Sequence, residues 1–288
     1  MIKNPKGTLI PVGGAEVKHE EEVPDNNPAK FYELGILKCI LNEIPDGEEP
    51  HIEVITTATA DPDEVFENYR SGFEKLHCPY IGHFNIRSRA EADDEKILAR
   101  LEAANCVMIS GGDQLRLSST FGGTQFLRRL RERYERSPFV VAGTSAGAMV
   151  MSNPMIYAGR AEKANLKGEV KIVSGFGLVD DVIIDTHFDA RGRFSRLAQA
   201  VSAQPGALGI GLGEDTGVII KNGHLLQAIG SSSVILIDAT GIVCTNIAEI
   251  SEGEPITVQR LMVHILAAGD RYDALKRSFP KVKAELAG

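Results

Sequence analysis

Through its first half the chain alternates short apolar runs with longer amphipathic stretches. Thr8-Leu-Ile-Pro-Val12 and His51-Ile-Glu-Val-Ile55 read as strands, whereas residues 30–42 and 64–76 carry apolar positions at helical spacing. The alternation continues: a helix over residues 93–102 precedes the strand Cys106-Val-Met-Ile109, an arginine-rich helix over residues 127–136 precedes Phe139-Val-Val-Ala142, and a helix is expected directly after Ser145. Strands that are apolar at consecutive positions are those buried on both faces. Strand, helix and strand in this order therefore predict an α/β fold, a mostly parallel sheet with helices against both sides.

Beyond Gly209 the texture changes to Gly217-Val-Ile-Ile220, Gly223-His-Leu-Leu-Gln-Ala-Ile229 and Ser233-Val-Ile-Leu-Ile-Asp238, separated by Asn222-Gly223 and by Asp238-Ala-Thr-Gly241. Those separators are hairpin signals. Residues 259–268 and 272–278 are predicted to return to helix. The acidic residues 20–22 and the proline- and asparagine-rich residues 23–28 read as a surface loop. No internal repeat, low-complexity tract or linker divides the chain, so residues 1–288 are expected to form a single catalytic domain.

Composition narrows the partners. A hydrophobic content of 43% is ample for a packed core, and a formal net charge of -8 disfavours nucleic acid, whose phosphates demand a basic surface. The arginine-dense residues 127–136 interleave Leu127, Leu130 and Tyr134 at helical spacing and read as one solvated amphipathic helix. No stretch approaches the roughly 18 apolar residues of a membrane span, and the start, Met1-Ile-Lys-Asn-Pro-Lys-Gly7, lacks the apolar core of a signal peptide. A cytoplasmic location is expected. Cys39, Cys78, Cys106 and Cys244 stand far apart, which predicts reduced thiols rather than a zinc site or disulfide framework.

The chemistry-bearing segments lie at the predicted strand ends. Gly143-Thr-Ser-Ala-Gly147 fits Gly-x-Ser-x-Gly, in which small residues flank a nucleophile because the strand-to-helix turn around it is too tight for larger ones. Gly111-Gly-Asp-Gln114 is a second glycine turn, expected at the same sheet edge. The N–H of Gly112 or Asp113 could join that of Ala146 in an oxyanion hole. Gly13-Gly14 is a similar turn, read as structural. A serine hydroxyl needs a base, and His187, ending the strand Val182-Ile-Ile-Asp-Thr-His187, is the best placed of the histidines. His224 falls in an apparent hairpin and His264 in an expected apolar helix. His77, Cys78 and His83 lack a further ligand at metal-site spacing. Arg191, Arg193 and Arg196 follow His187 and suit carboxylate binding; Arg191 could share a face with His187, whereas the other two point elsewhere unless a helix begins after Gly192. Glu214 or Asp215 could orient a histidine, or the Glu214-Asp-Thr216 segment could be a turn bonded to its own backbone.

Taken together and in order, Gly111-Gly-Asp-Gln114, Gly143-Thr-Ser-Ala-Gly147, Asp185-Thr-His-Phe188 with Arg191, Arg193 and Arg196, and Glu214-Asp-Thr216 resemble the cyanophycinase branch of the S51 serine peptidases. Members degrade cyanophycin, a poly-aspartate whose side-chain carboxyls carry arginine through isopeptide bonds, to β-Asp-Arg dipeptides. The resemblance implies Ser145 as nucleophile, His187 as base and Glu214 as the acid orienting it. It implies a substrate pocket lined by Gln114, Glu162, Asp185, Thr186, Arg191, Arg193 and Arg196. It further implies a three-layer sandwich of flavodoxin-like or class-I-glutamine-amidotransferase-like kind, usually a homodimer, without metal or organic cofactor. One departure is plain: the branch commonly shows Asp-Gln-His-Phe, and position 186 is Thr. That change admits a relative preferring short isoaspartyl peptides. Two other readings are an α/β-hydrolase esterase, which the lack of a His-Gly-Gly-Gly segment disfavours, and a catalytically silent binding protein on the same scaffold.

Overall fold

The computed structural model describes residues 4–18 and 35–280. The loop expected over residues 20–28 lies outside them, as does the start of the helix expected from residue 30. The apolar runs of the first half become strands β1 (Thr8–Val12), β2 (His51–Ile55), β3 (Tyr80–Phe84), β4 (Cys106–Ile109) and β5 (Val140–Thr144), side by side in the order β3-β2-β4-β5-β1 and all parallel. β3 was not legible as a strand: Gly82 and His83 interrupt its apolar pattern, and it forms the sheet edge.

Successive strand residues point to opposite faces, and the core divides accordingly. Ile10, Val12, Ile52, Val54 and Met108 pack with helices α1 (Ile36–Asn42) and α2 (Pro62–Lys75), which contribute Ile36, Ile40, Tyr69 and Phe73. Leu9, Ile55, Val107, Ile109 and Val141 join the opposite core. That side receives the short α3 (Arg89–Ala92) and then α4 (Glu95–Ala103), α5 (Gln114–Phe121) and α6 (Gln125–Arg136). Side-chain caps fix the starts of the last three helices. Asp94 accepts from Lys96 N–H, Asp113 from Leu115 N–H and Thr124 from Leu127 N–H.

After β5 come α7 (Ala146–Met149), then β6 (Val182–Asp185), α8 (Phe194–Ala203), β7 (Leu208–Leu212), β8 (Thr216–Lys221), β9 (Leu225–Gly230), β10 (Val234–Asp238), β11 (Met262–Leu266) and β12 (Arg271–Asp273). β8, β9 and β12 extend the main sheet from β1 in antiparallel fashion, with Asn222-Gly223 turning the β8-β9 hairpin as expected. β6, β7, β10 and β11 form a second sheet in that order. The helices expected over residues 259–268 and 272–278 are instead strands and turns. Met262-Val-His-Ile-Leu266 pairs residue for residue with β10, so backbone pairing overrides a short apolar run that periodicity alone leaves ambiguous. Asp238-Ala-Thr-Gly241 does not close a tight hairpin, because the short strand that follows it, Cys244–Thr245, pairs with Val258–Gln259, and β10 finds its partner only in the more distant β11. Among the described residues no helix is long and apolar enough to cross a membrane.

Candidate active site

β1, β5, β4 and β2 all end at the same edge of the sheet, where ligands of parallel sheets collect. The Val12-Gly13-Gly14 segment at the end of β1 is the hub. Ser145 N–H donates to Val12 O at 2.9 Å, His187 N–H to Gly13 O at 2.8 Å, and Asp215 N–H to Gly14 O at 2.8 Å. Three chain segments remote in sequence are thereby pinned to three successive carbonyls. Gly14, with φ +112°, leaves no room for a side chain, since a Cβ there would collide with the imidazole of His187. The glycine pair read as structural thus carries the geometry of the site.

Ser145 has φ +50° and ψ −111°, a strained conformation for a residue with a Cβ. The flanking glycines explain how it is reached. A Cβ on Gly143 would lie 2.7 Å from the Gly147 carbonyl, and one on Gly147 would strike the Ile109 carbonyl at the end of β4. The turn therefore closes only with glycine at both positions, and it lifts Ser145 Oγ out of the edge.

His187 Nε2 lies 3.1 Å from Ser145 Oγ, and His187 Nδ1 lies 2.8 Å from Glu214 Oε1. Of the two acids left open by the sequence, Glu214 is the one that meets the histidine. Asp215 instead accepts from Val17 N–H at 3.2 Å and from Ser231 Oγ at 2.7 Å. Burial pushes the Asp215 carboxyl above its ordinary range, against those hydrogen bonds. His187 and Asp215 also hold positive φ, so strain clusters around the histidine.

The Gly111-Gly112 turn lies against the serine, with the position of a Gly111 Cβ 3.3 Å from Ser145 Cβ. The alternatives for an oxyanion donor separate here. Asp113 N–H donates to Ala58 O at 3.0 Å and its carboxylate caps α5, so that residue is occupied with structure. Gly112 lines the same pocket as Ser145, and Ala146, the first residue of α7, has no intrahelical acceptor for its N–H.

A pocket of about 460 Å³ opens over Ser145, lined among others by Gly14, Glu16, Lys18, Tyr69, Gly112, His187 and Arg191. Of the residues expected around a substrate, Arg191 is among its lining. Arg193 and Arg196 turn the other way, because α8 starts only after Gly192. Arg196 Nε donates to Asp185 Oδ2 at 2.8 Å, its Nη2 to Oδ1, and Arg193 Nη1 to Thr186 O at 2.7 Å and Asp185 Oδ1 at 3.2 Å. Asp185 and Thr186 are fully buried, and Thr186 Oγ1 has no hydrogen-bond partner. Burial lowers the Arg193 guanidinium to about 10, partly opposed by Asp185. These four residues form a buried brace beneath His187. Gln114 donates from Nε2 to Tyr157 O at 2.9 Å, tying α5 to the segment at residues 155–158, and Glu162 is exposed in a 3-10 turn.

Sequence reasoning missed Glu16. It is buried at the foot of the pocket, where it accepts from Tyr69 Oη and, at 2.6 Å, from Thr144 Oγ1, and pairs with Lys18 Nζ at 3.1 Å. Burial alone would raise its carboxyl. The Lys18 charge and the hydrogen bonds from Thr144 and Tyr69 outweigh that and hold it below the ordinary range. The signal was the Gly13-Gly14 turn itself, a glycine pair after a buried strand and two residues before an acid. Among the described residues no group of three or more His, Cys, Asp or Glu is placed to hold a metal ion; His83 bonds Thr56 Oγ1 at 2.8 Å and stacks on Phe66.

The family model described as peptidase family S51 matches residues 26–228. The chain belongs to peptidase family S51. Two relatives within reach of the S51 chain are a cyanophycinase of Trichormus variabilis, 36% identical over 95% of this chain and 87% of its own length, and a cyanophycinase of Synechococcus elongatus, 35% identical over 93% and 79%. Among solved structures, a peptidase from an acI-B1 Actinobacterium superposes with a TM-score of 0.60 at 22% identity, covering 93% of this chain and 96% of that one. That last likeness is one of fold. The S51 motifs quoted above all fall inside the matched residues, the Gly13-Gly14 hub outside them.

Proposed function

We propose that this S51 peptidase is a serine-type exopeptidase that hydrolyses cyanophycin to β-Asp-Arg dipeptides through an acyl-enzyme. The observation that carries the reading is the continuous chain from Ser145 Oγ through both nitrogens of His187 to Glu214. A carboxylate can only accept, so Glu214 holds the Nδ1 proton and leaves Nε2 free to take the Ser145 proton. Ser145 Oγ attacks a backbone carbonyl, and Gly112 and Ala146 N–H groups face the oxygen that becomes negative, each donor worth roughly 3 kcal/mol. Collapse breaks the C–N bond, His187 returns its proton to the departing amine, and a water repeats the sequence to free the serine. The cyanophycinase relatives, matched over nearly the whole chain, support the substrate class.

The same reading includes a single domain of flavodoxin-like or amidotransferase-like kind acting as a homodimer in the cytoplasm, as the family resemblance implies. Light scattering on the purified protein measures the dimer directly. A second reading, an aspartyl or isoaspartyl dipeptidase, draws on Thr186, which stands where the branch commonly shows Gln and leaves a buried hydroxyl without a partner. Incubating the protein in parallel with cyanophycin and with short aspartyl dipeptides decides between them. Release of β-Asp-Arg detected by mass spectrometry is expected; dipeptide turnover without polymer turnover would move the assignment to the second reading.

A further inference from the structure

Lys18 and Glu16 lie on the loop that leaves the hub, on the pocket wall that also holds Tyr69, while Arg191 enters the pocket lining from the His187 side. The described part of the loop is fixed at two points. Gly14 O accepts from Asp215 N–H, and Val17 N–H donates to the Asp215 carboxyl, while Ala15 between them holds φ +49°. Glu16 carries no exposed side-chain surface of note, at 1%, against 20% for Lys18. The Glu16 carboxylate is therefore enclosed, whereas the Lys18 side chain keeps exposed surface at the pocket. Lys18 Nζ is set there by Glu16 Oε1 at 3.1 Å and Glu16 O at 3.2 Å, with its charge 5.0 Å from the centre of the Tyr69 ring. Among the described residues the charges lining the pocket are thus two cations, Lys18 and Arg191, and one enclosed anion, Glu16.

We infer that Lys18 is a specificity-determining residue that takes a carboxylate of the substrate, with Glu16 as the positioning residue that holds its ammonium at the pocket wall. The inference rests on the peptidase reading above and deepens it. In a β-Asp-Arg unit the arginine is joined through its α-amine, so each branch presents a free carboxylate, the chemical group two cations in a pocket would select. Thr144, which also donates to Glu16, immediately precedes Ser145 and links the carboxylate receptor to the nucleophile's strand.

The test compares kcat/KM on a short (β-Asp-Arg) oligomer with free arginyl carboxylates and on the same oligomer with those groups as carboxamides. Wild type is expected to prefer the carboxylate form by roughly ten- to hundredfold, the worth of one charged hydrogen bond. In Lys18→Met that preference falls towards one, chiefly through KM, and Lys18→Arg restores part of it. Glu16→Gln, which keeps the shape but removes the charge, lowers the preference as well; a merely structural role would depress both substrates equally. Retention of the full preference in Lys18→Met overturns the inference, and so does a wild type that treats both oligomers alike. A wild type that cleaves neither removes the peptidase reading and this assignment with it.

Discussion

His187 Nε2 and Ser145 Oγ lie 3.1 Å apart although 42 residues separate them in the chain. Their approach is built into the backbone, since the two residues donate to the neighbouring carbonyls of Gly13 and Val12 at the end of β1. Side-chain rotamers make only the final adjustment.

On the proposed mechanism, replacing Ser145 removes the reaction and keeps the fold. Ser145→Ala is expected to lower kcat by about 10⁴- to 10⁶-fold. His187→Ala in the Ser145→Ala background should add little, because the groups act as a unit. Steady-state rates on cyanophycin check both, with circular dichroism as the control for folding.

Glu214→Gln tests the orienting acid. An amide can present an N–H to Nδ1 and favour the wrong tautomer, which predicts a fall in kcat of about 10²- to 10⁴-fold with KM little changed. The lower end is expected, because the Glu214 side chain is 46% exposed and water can take over part of its role.

Gly14→Ala tests the hub. The added methyl meets the His187 imidazole and the backbone there has φ +112°. A loss of about 1–3 kcal/mol in urea unfolding is expected, together with a drop in kcat larger than that loss of stability explains.

Asp185→Asn leaves Arg196 and Arg193 without their carboxylate in a site where the aspartate is fully buried and the Arg196 side chain is 6% exposed. Breaking such a pair from one side costs about 3–5 kcal/mol. The urea midpoint should fall accordingly, and replacing Asp185 and Arg196 together by apolar residues should cost less than the single change.

Acid stability follows from Glu16. Its folded pKa is held below the ordinary range by Lys18, Thr144 and Tyr69 against the cost of burial. The fold therefore binds that proton more weakly than the unfolded chain. The contribution is complete above the unfolded value and is lost as pH falls through the lowered folded one. Urea midpoints of Glu16→Gln should consequently decline less steeply than those of wild type between about pH 5 and pH 3.

Much of this was legible in the sequence where local patterns decide. The runs that became β1, β4 and β5 are largely apolar at consecutive positions, β2 is broken only by Glu53, and Gly143-Thr-Ser-Ala-Gly147 needs its glycines for reasons of space that the structure repeats atom by atom. The end of the chain was misread because Met262–Leu266 is a short apolar run whose state is set by pairing with β10, a partner no local pattern announces. The arginines after His187 were visible but their direction was not. Whether Arg191 lines the pocket while Arg193 and Arg196 brace Asp185 depends on where α8 begins, one residue after Arg193. Glu16 was invisible as a site residue because its partners, Tyr69 and Thr144, are 53 and 128 residues away.

The most direct test of the central claim is to treat the protein with an active-site-directed serine reagent and locate the adduct by peptide mass spectrometry. The account predicts one equivalent on Ser145, with labelling lost in His187→Ala and loss of cyanophycin hydrolysis in proportion to the label. Full hydrolysis by protein labelled at Ser145, or by Ser145→Ala, would contradict it.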